Sequence, residues 1–326
     1  MDKKRHENID LTSGLLMIQI IVMHILQFAE KYQNDIFSVI MHVSFFFMPW
    51  FYFKSGYFFK SVEKIDINYI LVKSKKLLIP FVSFTIIGFI ITFPFEIYEV
   101  QRPVWRILLS LPYSILRWGD GGAGNLPIWF LLSLFFALFS FAFLDKVNLK
   151  WLILLFPVIG FLIIYNKIAL PLGLNNLFLA VFFMYIGNIF RKMEYTKYYN
   201  CIIIAAIVIY LITQYYCFSS LDFRSHDLLT GNYFIFVISS IAGIVVIYYF
   251  AKMVNFIKPI NYIGKNSLIY FIAHWPIIIL SNQVLKMFSV NTIGYIYAMC
   301  LTFVVFITMP FLVNLFNKKY KFLIGN

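Results

Sequence analysis

The sequence predicts an all-α, polytopic membrane protein with about ten transmembrane helices and both termini on the cytoplasmic side. Of its 326 residues, 62% are hydrophobic and only 13% are charged, which is too few to cover a water-facing surface. Apolar runs of roughly membrane-spanning length follow one another, and lysine and arginine collect in alternate gaps between them. No stretch is polar enough for a separate soluble domain, so residues 1–326 are expected to form one integral membrane domain.

Ten apolar runs predict the helices, since a helix needs about 20 apolar residues to cross the hydrocarbon and fewer where neighbours bury it. They are residues 9–28, 37–58, 77–95, 126–144, 151–166, 174–190, 201–218, 232–250, 267–285 and 293–316. The fifth and sixth are separated only by Lys167 and a Pro-Leu-Gly break at 171–173. Between the third and fourth, Trp105, Leu108 and Leu109 indicate a helix in the membrane interface.

The basic residues give the orientation. With the N-terminus inside, 20 of the 27 lysines and arginines fall on the cytoplasmic side, in agreement with the positive-inside rule. The same rule explains the net charge of +13 without nucleic acid as a partner. Cys201, Cys217 and Cys300 lie in apolar runs without metal or disulfide spacing, so we expect buried thiols and no metal site.

Three features outside the membrane are expected to be solvated. The Gly-rich segment 119–125 has no following Gly-Lys-Ser or Gly-Lys-Thr, which predicts a flexible loop and not a phosphate cradle. His42, near the outer end of the second helix, and His226, in an outer loop, are expected to contact water.

An ionisable side chain inside the first helix is the main candidate for chemistry. His24 lies fifteen residues after Ile9, roughly 22 Å up a core about 30 Å thick, and hence beyond the midplane toward the outer side. Ionisable groups at such depth face the bundle interior or a wet cavity. Asp10 and Ser13 fall near the same helix face and Gln27 continues it, so a polar track leads to His24. The alternative is a neutral histidine that bonds a neighbouring helix.

Lys54 lies about one turn from the cytoplasmic end of the second helix. In an antiparallel pair it therefore shares a depth with Ser13, although a lysine snorkelling to the interface is the alternative. The small pair Ser55-Gly56 that follows allows close helix approach.

Lys73 and Lys76, at the entry to the third helix, are three residues apart and share a helix face. They present two positive charges to an anion at the cytoplasmic surface. Ordinary positive-inside charge also explains them. A second intramembrane histidine, His274, lies two turns after Ser267 and is interpreted as lining the cavity of His24 or as a structural histidine.

Five segments, in order along nearly the whole chain, resemble the acyltransferase-3 family of ten-helix membrane acyltransferases, particularly its fucose 4-O-acetylase-like branch. The matching segments are Ile9-Asp10 with His24, Met48-Pro49 through Ser55-Gly56-Tyr57, Lys73 and Lys76 before Leu77-Leu78-Ile79-Pro80, Trp129-Phe130-Leu131, and Ile263-Gly264-Lys265-Asn266-Ser267-Leu268 leading to His274. The resemblance implies transfer of an acyl group, usually acetyl from cytoplasmic acetyl-CoA, to a hydroxyl of a carbohydrate at the outer face.

The resemblance also implies roles for individual residues. His24 is the expected catalytic group, acting as general base or as acyl-accepting nucleophile. Lys73 and Lys76 are expected to handle the acyl donor, and the polar track of Asp10, Ser13 and Lys54 is assigned to the same side.

On the acceptor side the expected contacts are His274, Trp129, Arg102 and Arg106. Outward arginines suit an anionic acceptor such as a lipid-linked saccharide or acidic polysaccharide, with solvated loop charges as the simpler explanation. The expected location is the bilayer of a bacterial cytoplasmic membrane, with no metal cofactor.

Three positions depart from the family pattern. Ser13 stands where many members have an arginine eleven positions before the catalytic histidine, and Phe47 stands where the branch often has a histidine. Lys54 stands where an apolar residue usually precedes Ser-Gly. Because Ser13 and Lys54 are expected at one depth, we hypothesise that Lys54 replaces the missing cation and pairs with Asp10.

Two other classes share these general features. A polysaccharide flippase or exporter would also have many helices and intramembrane charges, but transporters often carry internal repeats, and none is visible here. A glycan polymerase or ligase is expected to have a much larger outer loop.

Overall fold

The computed structural model describes residues 6–29, 35–61, 65–254, 257–287 and 294–325. These residues form a helical bundle with one short antiparallel β-hairpin. The helices are α1 (Glu7–Phe28), α2 (Asp35–Ser44), α3 (Phe47–Tyr57), α4 (Ile67–Tyr98), α5 (Val104–Trp118), α6 (Trp129–Lys146), α7 (Phe156–Tyr165), α8 (Leu177–Met193), α9 (Tyr199–Tyr216), α10 (Tyr233–Val254), α11 (Lys258–Lys265), α12 (Ser267–Met287) and α13 (Tyr295–Lys318). The strands are β1 (Ser220–Asp222) and β2 (Asp227–Thr230).

The predicted polytopic all-α fold is confirmed. Within the described residues, eight helical segments are long and apolar enough to cross a membrane. The predicted fifth span is shorter, since only its second half forms the ten-residue helix α7 after a 3₁₀ turn. The predicted second span consists of α2 and α3, which are separated by a turn at Phe45 and Phe46. At this break the carbonyl of Ser44 accepts a hydrogen bond from Gln19 Nε2 at 3.1 Å.

Helix α4 begins ten residues before the start predicted for the third span, at Ile67. Asp66 caps it by accepting a hydrogen bond from the backbone N–H of Tyr69 at 2.8 Å. The apolar run begins only after the charged residues of the first turns, so hydropathy placed the start too late. Lys73 and Lys76 therefore lie inside this helix and not before it.

The helices pack closely where glycine removes the side chain. A Cβ atom added to Gly56 would lie 1.8 Å from the carbonyl oxygen of Met184, so α3 and α8 touch backbone to backbone. A Cβ atom on Gly264 would lie 1.7 Å from the carbonyl oxygen of Asp10, which brings α11 equally close to α1. The close approach predicted at Ser55-Gly56 is confirmed.

The start of α1 and the end of α13 lie at the same end of the bundle, which we call the terminal end. Asn261 Nδ2 donates to the carbonyl of Glu7 at 2.8 Å, and Asn317 Nδ2 donates to Asn266 Oδ1 at 3.4 Å. The β-hairpin lies at the opposite end, which we call the hairpin end. That the terminal end faces the cytoplasm stays a prediction. Of the basic residues on which this prediction rests, Lys3, Lys4, Arg5, Lys31 and Lys64 lie outside the described residues.

Two predictions about burial are wrong. Cys201, Cys217 and Cys300 are exposed on the bundle surface and not buried. Apolar helix faces in a membrane protein contact lipid, so apolar neighbours in sequence do not imply a place in the protein interior. His226 is only 2% exposed instead of solvated, because its turn folds against α7 and its Nε2 donates to the carbonyl of Gly160 at 3.3 Å.

The Gly-rich segment 119–125 is a packed part of the bundle and not an open loop. Asp120 and Asn125 are both 0% exposed. Asn125 Nδ2 donates to the carbonyl of Ile272 at 2.9 Å, and the backbone of Gly124 lies directly against that of Gly88. The small residues of this segment permit the close approach of α4 and α12. In the sequence alone, the same composition resembles a flexible loop.

Candidate active site

Two cavities lie one above the other along the bundle axis. The terminal cavity has a volume of about 360 Å³ and the hairpin cavity a volume of about 310 Å³. Phe271 of α12 lines both. On α1 the lining changes from Met17 in the terminal cavity to Ile20 in the hairpin cavity, and on α6 it changes from Phe130 to Trp129. The two cavities are thus separated by about one helical turn of side chains.

The terminal cavity has apolar walls with a few polar groups. Its polar lining residues are Lys54, Ser55, Lys76 and Ser267. Lys76 faces the cavity, whereas Lys73 is not among the residues that line it and lies with Nζ 5.6 Å from the centre of the Tyr69 ring. The structure therefore divides the predicted lysine pair between the cavity and its rim.

Ser13 and Lys54 are in direct contact, which confirms that they share a depth. Lys54 Nζ donates to Ser13 Oγ at 2.9 Å, and Trp50 Nε1 donates to the same oxygen at 3.2 Å. Ser13 Oγ in turn donates to the carbonyl of Ile9 at 2.7 Å. The cation of Lys54 thus lies against Ser13, the position at which the family resemblance led us to expect an arginine. The pairing of Lys54 with Asp10 stays a prediction.

His24 lines the hairpin cavity. Its Nδ1 lies 2.8 Å from Gln27 Oε1, an acceptor, so Nδ1 carries the proton and Nε2 carries the lone pair. The ring stacks on His274 with centroids 5.4 Å apart and contacts the edge of Trp275 at 5.0 Å. An imidazole held in this tautomer presents a free basic nitrogen.

His274 lies behind His24 and is not among the residues that line the hairpin cavity. It is 0% exposed, and its Nδ1 donates to the carbonyl of Tyr270 at 3.0 Å. Its Nε2 has no hydrogen-bond partner among the described residues. The neighbouring Trp275 takes the place at the cavity wall that the sequence suggested for His274, because the helix turns by about 100° per residue.

The family model of the acyltransferase-3 family, described as an acyltransferase domain, matches residues 6–315. The chain belongs to the acyltransferase-3 family. It is therefore a multi-pass membrane acyltransferase. No curated protein and no solved structure matches the chain. Membership of the fucose 4-O-acetylase-like branch stays a prediction.

The predicted acceptor contacts of the acyltransferase divide into two groups. Trp129 lines the hairpin cavity, as expected for a residue near His24. Arg102 lies just before α5 and Arg106 lies in its first turn, and neither lines either of the two cavities. Arg102 forms an ion pair with Glu96 at 2.9 Å, and the Arg106 guanidinium lies 5.2 Å from the centre of the Trp105 ring.

Sequence reasoning missed two charged residues of the hairpin cavity, Asp222 and Arg224. Arg224 bonds the buried Asp120, with Nε at 2.7 Å and Nη2 at 2.5 Å from Oδ2. The alternation Leu221-Asp222-Phe223-Arg224 is the signal of a half-buried strand that could have found them. Nothing local in the sequence joins Arg224 to Asp120, 104 positions earlier.

A carboxylate network fixes the end of α3 in the acyltransferase. Glu194, just after α8, accepts hydrogen bonds from the hydroxyls of Tyr57 and Tyr248 at 2.8 Å and from Lys252 Nζ at 3.1 Å. Burial alone raises the pKa of Glu194, but these hydrogen bonds together bring it below its usual value. Tyr57 follows Lys54 by three residues, so this network holds the helix turn that supplies the lysine to the terminal cavity.

Proposed function

We propose that the acyltransferase transfers an acetyl group from acetyl-CoA, which enters the terminal cavity, to a hydroxyl of a carbohydrate held in the hairpin cavity. One observation supports this proposal above the others: cavities toward opposite ends of the bundle share Phe271, and His24 lines the hairpin cavity together with Phe271. In this arrangement neither substrate has to cross the membrane.

The donor side suits a long thioester with phosphate groups. Lys76 and Lys54 place two cations in the terminal cavity, and Lys73 adds a third at its rim. Lysine binds phosphate as a compact point charge without demanding one geometry. The remaining apolar wall accommodates the uncharged arm that carries the acetyl group toward Phe271.

His24 has the required protonation state for two related mechanisms. As a general base, Nε2 accepts the hydroxyl proton while the hydroxyl oxygen bonds the acetyl carbon and the C–S bond breaks; the thiolate then takes the proton from Nε2. As a nucleophile, Nε2 bonds the acetyl carbon while the C–S bond breaks and the thiolate of coenzyme A leaves; the hydroxyl oxygen then bonds the acetyl carbon, the N–C bond breaks, and the hydroxyl proton passes to the thiolate. Gln27 serves both, because its oxygen fixes the Nδ1–H tautomer and faces the positive charge that forms on the ring.

The carbohydrate acceptor, free in the cell envelope or linked to lipid, would reach His24 from the hairpin end. The aromatic side chains Trp129 and Trp275 in the cavity wall offer flat apolar surfaces of the kind on which sugar rings pack. The proposed location is the bacterial cytoplasmic membrane, with the terminal end in the cytoplasm.

The test is transfer of label in membranes that contain the chain. Membranes are incubated with acetyl-labelled acetyl-CoA and cell-envelope glycan, and label in the glycan is measured for the wild type and for His24→Gln. We expect label that depends on His24. The matched control is His42→Gln, whose ring bonds the carbonyl of Gln214 and is not among the residues that line the cavity. Glycan export without acetyl transfer would contradict the proposal and favour a flippase.

A further inference from the structure

The β-hairpin forms one wall of the cavity that contains His24. Its lining residues are Leu221, Asp222, Phe223, Arg224 and Leu229. The wall is therefore built from both strands and from the turn between them, and it faces the same space as the His24 side chain.

The hairpin is held in place from three sides. Arg224 bonds the fully buried Asp120 of the Gly-rich segment, and Asn176 Nδ2 donates to the carbonyl of Phe223 at 2.9 Å. Ser219 Oγ accepts a hydrogen bond from the backbone N–H of Asn232 at 2.9 Å and closes the base of the hairpin. The wall thus has a fixed position relative to His24.

The two charged side chains of this wall, Arg224 and Asp222, are not equally available to a ligand in the cavity. The guanidinium of Arg224 is neutralised by Asp120 and lies 5.2 Å from the centre of the Trp118 ring. Asp222 uses one carboxylate oxygen, Oδ1, to accept the backbone N–H of Arg224 at 2.9 Å. Its other oxygen has no hydrogen-bond partner among the described residues. The cavity therefore offers an acceptor of hydrogen bonds next to aromatic rings, with no free cation among its described lining residues.

We propose that Asp222 is a specificity-determining residue that binds the hydroxyls of an uncharged sugar in the hairpin cavity and disfavours acidic sugars; this rests on the proposed function. A carboxylate oxygen accepts two hydroxyl protons and makes charge-assisted bonds, which are roughly twice as strong as neutral ones. A uronate in the same place would bring a second negative charge into a site partly shielded from water, where like charges repel strongly.

Binding is measured first, without donor, by saturation-transfer NMR on the full chain in nanodiscs. The probes are matched pairs, namely the methyl glycosides of glucose and galactose and their uronic acid counterparts. We expect the wild type to bind the neutral member of each pair about tenfold more tightly. Asp222→Asn keeps an oxygen for the Arg224 N–H but removes the charge, so it is expected to lose most of this preference.

Asp227→Asn is the matched control, because Asp227 lies opposite Asp222 in the hairpin but is exposed and is not among the cavity-lining residues. It should bind like the wild type, and the thermal unfolding midpoints of both variants should match that of the wild type. Tighter binding of the uronates, an Asp222→Asn variant that keeps the full preference, or binding of none of the four probes at millimolar concentration would each overturn the inference.

Acetyl transfer from acetyl-CoA to the same probes separates this inference from the proposed function. Binding that depends on Asp222 without any transfer would uphold the sugar site and contradict the acetyltransferase proposal. Transfer to uronates as readily as to neutral glycosides, in wild type and Asp222→Asn alike, would uphold the acetyltransferase and overturn the role of Asp222.

Discussion

The two cavities differ in how their walls are built. The terminal cavity takes its polar groups from regular helices: Lys54 and Ser55 lie near the end of α3, Ser267 begins α12, and Lys76 lies inside α4. The hairpin cavity combines helices with a strand pair whose position depends on Asp120, a buried side chain in another loop. Helix periodicity suffices to place the first set of residues, whereas the second set is assembled by contacts between distant parts of the chain. The two regions should therefore respond differently to substitution.

The largest effect is expected from a substitution that disrupts the hairpin cavity and leaves the terminal cavity intact. Arg224→Met leaves the fully buried Asp120 carboxylate without its cation, which typically costs about 3–5 kcal/mol of the free energy of unfolding. We expect a lower thermal unfolding midpoint in detergent and loss of acetyl transfer. The double variant Asp120→Asn with Arg224→Met should recover most of the stability, because no uncompensated charge remains. A double variant no more stable than Arg224→Met would contradict this account.

Acid should act on the same region through His226. Burial lowers the pKa of His226 to about 4 from its ordinary value of 6.5. Between these two pH values the unfolded chain binds a proton that the folded hairpin does not, so the free energy of unfolding falls as the pH decreases, by about 3 kcal/mol in all. The measurement is the unfolding midpoint at pH 7 and pH 5. His226→Gln should lose less stability over this range than the wild type, and an equal loss would exclude His226 as the cause.

In the terminal cavity, the contribution of the Lys54 cation to donor binding can be tested directly by substitution. Lys54→Met should raise the KM for acetyl-CoA about tenfold, as expected for loss of one charge-assisted contact, with little change in stability. Ser13→Arg alone should be defective, because it places a second cation against Lys54 at a fully buried position. The double variant should regain donor affinity. Full activity of Lys54→Met, or no rescue by Ser13→Arg, would contradict the replacement hypothesis.

The smallest expected effect concerns the boundary between the cavities. Phe271→Leu shortens the side chain that both cavities share, and water should then reach the thioester more easily. We expect hydrolysis of acetyl-CoA without acceptor to rise severalfold while transfer to acceptor changes less. Phe303→Leu, an exposed residue of α13, is the control. Unchanged hydrolysis in Phe271→Leu would mean that other side chains separate the cavities.

The sequence was sufficient to predict what depends on helix geometry and hydropathy. The polytopic fold and the shared depth of Ser13 and Lys54 follow from counting residues along apolar runs, whereas the expected place of Trp129 came from the family resemblance. The place of Asp222 and Arg224 could not be predicted, because the buried ion pair that fixes them joins segments about a hundred positions apart. The exposure of the cysteines was missed for another reason: hydropathy does not distinguish a helix face that contacts lipid from one that contacts protein.

The position of Phe271 also has a consequence for the cell. A bilayer insulates because ions face about 30 Å of hydrocarbon, but where two cavities approach from opposite ends most of that thickness is gone. At this point the insulation depends on the turn of side chains between the cavities, which includes Phe271 and the Phe130 ring with its centroid 5.3 Å away. A smaller residue at position 271 is therefore expected to weaken the barrier to protons even in the absence of any substrate.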